Sequence, residues 1–140
     1  MTQDTLGVFE HTIEITHTWL NDLLERLAWQ DRQRAYRALR AVLHALRDRL
    51  SVNDASHLAA QLPMLVRGLY YEGYHPGGKP LAERKKSEFL AHVKGEFADE
   101  NFDIETVTRA VMNVLAKHIT PGEVDKIKKS LPEEIRSLWS

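Results

Sequence analysis

Seven histidines in a chain of 140 residues, with no cysteine beside them, make metal binding the first chemistry to weigh. Glu14-Ile-Thr-His17 has the Glu-x-x-His spacing that di-iron helical bundles use, and His11 lies one turn before Glu14. Such a site needs the motif on two helices, with further glutamates. The second half of the chain offers only Glu88 and His92, four residues apart, which a helix presents differently. His17 also falls on the apolar stripe of Phe9, Ile13 and Leu20, where an edge-of-core histidine would lie. His11, Glu14 and His17 are therefore metal candidates by spacing alone, and neither metal nor cofactor is expected. None of the serines stands in a nucleophile elbow, and without cysteine there is no thiolate nucleophile and no disulfide. An enzyme is not expected.

Phosphate contact is the second chemistry. The run from Arg32 to Arg40, continued by Arg47 and Arg49, is the most basic stretch of the chain. Arg34, Arg37, Arg40 and Arg47 would share one side of a helix and could line up on a nucleic-acid backbone. The net charge of −1 supplies no global attraction to help them. Asp31 and Asp48 can pair with them locally, and charged outer faces are ordinary on helices. The third candidate is the stretch Tyr70-Tyr-Glu-Gly-Tyr-His-Pro-Gly-Gly-Lys79. Tyr70, Tyr71, Tyr74, His75 and Lys79 suit contact with another protein, since tyrosine is enriched in interfaces. The plainer reading makes the same tyrosines plugs in a seam between two halves.

The elements that must position these residues are helices. Apolar residues make up 43% of the chain and charged residues 28%, which is globular composition at the length of one domain. Phe9, Ile13, Leu20, Leu24 and Leu27 form one helical face, and Tyr36, Leu39, Leu43, Leu46 and Leu50 form another. Arg37, Arg40, His44 and Arg47 are expected on the opposite, outer side of that second helix. No segment alternates like a strand, so the fold class is all-α. The N-terminus lacks the basic and apolar regions of a signal peptide, and no apolar run approaches the length of a membrane span. A soluble, cytoplasmic protein is expected.

Shifting the sequence by 69 positions lays 38–71 over 107–140 without a gap, and eight of the 34 pairs are identical. Leu62-Pro63 falls on Leu131-Pro132, Arg40 on Arg109 and Arg67 on Arg136. Upstream, one inserted residue pairs Leu20 with Leu90 and Leu23 with Val93. The expectation is a single domain of two pseudo-equivalent four-helix repeats, about eight helices in all. Repeat one covers about 5–72, a linker 73–80, and repeat two about 81–140, with helical pattern resuming at Ala82. Ser51 and Thr120 are expected to cap the third helix of each copy, with Glu123 reaching back in a capping box. Asp103 is the expected cap after an interruption at 99–103. Proline at 63 and 132 turns the chain and opens the fourth helix, and the paired arginines brace each unit.

Ala59–Gly73 with its Leu-Pro phrase and Tyr-Tyr-Glu-Gly, the linker and Glu88-Phe-Leu90, then Ile119-Thr-Pro-Gly-Glu123 and Leu131-Pro-x-x-Ile-Arg-x-Leu-Trp139, carry a resemblance. Together these segments resemble the bacterial family of domains of unknown function numbered 2267, over essentially the whole chain. The resemblance implies a small helical bacterial protein, and it carries over no activity, substrate or site residue. The function expected is non-enzymatic: protein–protein interaction or self-association. The alternative is a nucleic-acid-associated regulator using the basic face of residues 32–49, and metal binding comes last.

Overall fold

The computed structural model describes residues 6–97 and 101–139, and among these every regular element is helical. In chain order they are α1 (Gly7–Leu27), α2 (Arg32–Arg49), α3 (Val52–Ala59), α4 (Met64–Tyr71), α5 (Lys86–Glu96), α6 (Ile104–His118), α7 (Pro121–Ser130), α8 (Glu133–Arg136) and a closing 3₁₀ turn, Ser137–Trp139. The all-α expectation holds. Helix α2 is central and packs against α1, α4, α5 and α6, while α1 and α5 each pack on both α2 and α6. Eleven of the 18 residues of α2 are buried, so it is wrapped rather than lying on a surface.

Helix boundaries follow local chemistry. Asp31 accepts from the backbone N–H groups of Gln33 and Arg34 to open α2. Ser51 accepts from Asp54 N–H and Thr120 from Glu123 N–H, at positions 69 apart. The capping box at Thr120 is not completed by Glu123; the N–H of Thr120 donates to Gln61 Oε1 instead, which ties α7 to the end of α3. Asp103 caps α6 through the N–H of Glu105. The first part of the interruption expected at 99–103 falls on residues 98–100, which lie outside the described residues.

The corner phrases behave alike. Arg67 donates to the carbonyls of Ala59 and Leu62, and Arg136 donates to those of Lys128 and Leu131. Each arginine thus occupies the last carbonyls of the preceding helix, which would otherwise lack donors. Leu62, Val66 and Leu69 are buried together, as are Leu131, Ile135 and Leu138.

Three expectations about faces need correction. Helix α1 buries Thr12, Thr16, Trp19, Leu20 and Leu23, while Phe9 and Ile13 are exposed. The stripe is rotated because Thr12 Oγ1 accepts from Leu65 N–H at 3.0 Å, satisfying an orphan donor in the first turn of α4. Tyr36, expected inward, is exposed. Helix α5 starts at Lys86 rather than near Ala82, because Glu88 accepts from the N–H groups of Arg84 and Lys85 and fixes the start there.

Candidate functional site

The arginines of α2 do not form an outward face. His44 and Arg47 are 2% and 5% exposed, and Arg49 is buried as well. Arg49 donates to the Glu83 carbonyl, while His44 and Arg47 meet backbone carbonyls at the end of α4. His44 Nε2 lies 2.7 Å from the Leu69 carbonyl, and Arg47 Nη1 donates to the carbonyls of Tyr70 at 2.7 Å and Glu72 at 2.8 Å. Arg40, half-buried, donates to Glu72 and Glu96, and His44 Nδ1 lies 2.8 Å from the same Glu96 oxygen. The cations of α2 therefore cap the C-terminus of α4, where carbonyls point out with partial negative charge. Arg34 and Arg37 are half-buried, and Arg34 lies over the rings of Trp29 and Phe102. Of the four basic-face candidates, Arg47 needs correction: it is an internal brace that phosphate could not reach, whereas Arg34, Arg37 and Arg40 are half-buried.

The tyrosine stretch divides. Tyr70 is fully buried, with its hydroxyl donating to the Ala55 carbonyl, so it belongs to the core and not to a surface loop. Burial and the neighbouring Tyr71 push its phenol far above the usual tyrosine range. Tyr74 is half-buried between cations, with Arg47 at 5.4 Å and Lys79 at 5.9 Å from its ring centroid. Tyr71 is half-buried, Lys79 likewise, and His75 is exposed. Gly73 and Gly78 hold φ near +75° and +77°, the left-handed conformation that lets the segment leave α4 and turn back. Its far end is pinned where Leu81 N–H donates to the Asp48 carbonyl. Of the five partner candidates, only His75 stands fully free on the loop.

The metal candidates are separated by α1 itself. His17 lines a groove on one side of the helix, and His11 lines a smaller cleft on the other. Among the described residues no group of three or more metal-ligating side chains comes together.

That groove is the feature the sequence did not announce. It measures about 920 Å³ and lies between α1, α2 and α4. Ile13, Leu20, Leu65 and Leu69 supply its apolar lining, with Tyr36 and Tyr71 alongside; His17, Arg32, Arg37 and Glu72 stand among them as polar groups. Ile13, Tyr36 and Leu65 are 44%, 39% and 44% exposed, unusual for side chains of their size. The lining combines a helix-spaced stripe of α1 (Ile13, His17, Leu20) with the outward side of α4. A signal existed in the sequence: Met64 and Leu65 fill the positions where the other corner has Glu133 and Glu134. One corner is acidic where the other is greasy.

Two charge clusters away from the groove tie elements of the scaffold together. Asp22 of α1 meets His118 at 2.6 Å and Lys117 at 3.3 Å, both on α6, and His118 stacks on Trp19. Burial acts to raise the Asp22 carboxyl, but the hydrogen bonds from His118 and Lys117 outweigh it and hold it below the usual range. His92 of α5 sits between Glu83 at 2.9 Å and Asp48 at 3.5 Å. The hydrogen bond to Asp48 raises its imidazole above the ordinary value, against burial and with help from Glu83.

Among the described residues no helix is long and apolar enough to cross a membrane. No curated protein matches the chain. Residues 16–138, which include most of the groove and both corner phrases, match the model of a family described as an uncharacterized conserved protein, DUF2267, and the chain belongs to that family.

Proposed function

We propose that the protein is a non-enzymatic binding module of the cytoplasm whose groove between α1, α2 and α4 receives an amphipathic helix of a protein. The observation that carries this reading is the distribution of exposed apolar side chains. Of the eight large hydrophobic residues exposed among the described ones, Ile13, Tyr36 and Leu65 line this groove, and Leu6 and Phe9 continue the α1 stripe of Ile13. Val8 and Met64 border the smaller cleft on the other side of α1, and Val52 lies on α3. At about half exposure each, the five on the groove side leave roughly 400 Å² of side-chain surface, within the range a typical monomer shows in its largest patch. An open apolar trough between helices, with charge at its edge, is the form that takes a helix by its i, i+3, i+4 and i+7 side chains.

We also read the chain as two four-helix units, α1–α4 and α5–α8. The matched corner bonds of Arg67 and Arg136, and the matched caps at Ser51 and Thr120, support that reading. In it, the greasy corner of the first unit is where the copies diverged toward binding. Nucleic-acid binding through residues 32–49 has less support, because Arg47 and Arg49 are buried and Arg40 pairs with Glu72 and Glu96.

The test is affinity capture from the native host, followed by purification of the captured protein and measurement of its Kd for the wild-type chain. Ile13→Asp and Leu65→Asp should each weaken that binding tenfold or more while the melting temperature holds. Binding indifferent to both substitutions, or an eluate holding nucleic acid in place of protein, would overturn the reading.

A further inference from the structure

Resting on the reading of the groove as a helix receptor, we infer that the helix it takes is α1 of a second copy of this chain, so that the protein is a two-fold dimer. Leu6, Phe9 and Ile13 stand at three- and four-residue steps and are 58%, 49% and 44% exposed, which is the anchor spacing a helix groove reads. The same stripe runs on through His17 and Leu20 to form one wall of the groove. Stripe and receptor are therefore adjacent on one molecule. A two-fold axis across the mouth of the groove lays each stripe into the other's trough and closes the assembly at two copies.

Charge agrees with that pairing. Glu10 and Glu14 flank the stripe on α1 and are exposed, while Arg32, also exposed, stands on the opposite wall at the start of α2. Crossing α1 over the partner's groove brings the acidic edge of one copy toward the basic edge of the other. Such rim pairs set orientation and encounter more than affinity.

Sedimentation equilibrium of the full chain over a wide concentration range tests the inference. The wild type should fit a monomer–dimer equilibrium, and raising the salt should weaken it modestly. Ile13→Asp and Leu65→Asp should each shift the dissociation constant at least tenfold toward monomer. Because all these side chains are exposed, circular dichroism should be unchanged. Val52→Asp, at an exposed hydrophobic on α3 outside the patch, should dimerise like the wild type. A wild-type chain that stays monomeric to its solubility limit would overturn the inference while leaving a different protein as the groove's occupant. A dimer that persists in both groove variants, or that is lost in Val52→Asp, would overturn it by locating the contact elsewhere.

Discussion

Replacing Arg47 with alanine is the sharpest test of the internal brace. The guanidinium is 5% exposed and donates to two carbonyls, of Tyr70 and Glu72, while its Nε meets Asp48 at 3.1 Å. Truncation leaves two carbonyls at the end of α4 and one part-buried carboxylate without this cation. Removing one partner of a buried charged network costs about 3–5 kcal/mol. Each carbonyl left unsatisfied accounts for about 1–3 kcal/mol of such a loss, so the two estimates agree. For a domain of this length that is a fall of roughly 6–20 °C in melting temperature. The assay is urea and thermal unfolding by circular dichroism, with Arg32→Ala as the control. Arg32 is exposed, and its loss should change stability by less than about 0.5 kcal/mol. Arg47→Lys keeps the charge but cannot span both carbonyls in the same way, and should fall between. An Arg47→Ala chain as stable as the Arg32→Ala control would refute the account of these cations as caps.

Further outcomes follow from the same contacts. Because its folded-state pKa is raised, His92 contributes stability that is fully present below the ordinary histidine value of about 6.5 and is lost as pH rises through the folded value. The stability difference between wild type and His92→Asn should therefore be largest in mild acid and shrink through neutrality into mild alkali; a difference that grows with pH would contradict it. Asp22 runs the other way: its lowered pKa gives a contribution present above about pH 4 and lost as pH falls through the folded value. Asp22→Asn should accordingly destabilise at neutral pH and converge on the wild type in strong acid, as followed by urea midpoints. Leu131→Ala, at a corner residue 2% exposed, should cost about 2–5 kcal/mol, and an unchanged melting temperature would contradict its place in the core.

How much of this was legible depends on whether the physics was local. The caps at Ser51, Thr120 and Asp103 and the turns at Pro63 and Pro132 are set within a few residues and stand where the pattern puts them, while the start of α5 lies four residues later than its pattern suggests. Faces were harder. Leucine spacing marked one buried side of α2 and left the charged side to be assigned to water, yet α4 and α5 arrive there from a distance. The targets of His44 and Arg47 are carbonyls, and a sequence does not display unsatisfied carbonyls. A hint lay in the 69-residue offset: the counterparts of His44 and Arg47 are Asn113 and Ala116, so these two side chains serve contacts particular to the first half. On α1, Phe9 and Ile13 looked buried because hydrophobicity was taken as the guide, whereas Thr12 and Thr16 face inward and Thr12 meets α4.

The account's central claim is that the apolar side formed by α1, α2 and α4 is covered by protein when the molecule works. A photo-crosslinking amino acid placed at Leu65, and in parallel at Val52, and irradiated in living host cells, tests this most directly. The account predicts a discrete crosslinked protein band from position 65, running at dimer mass, and none from position 52. Equal labelling from the two positions, or none from position 65, would contradict it.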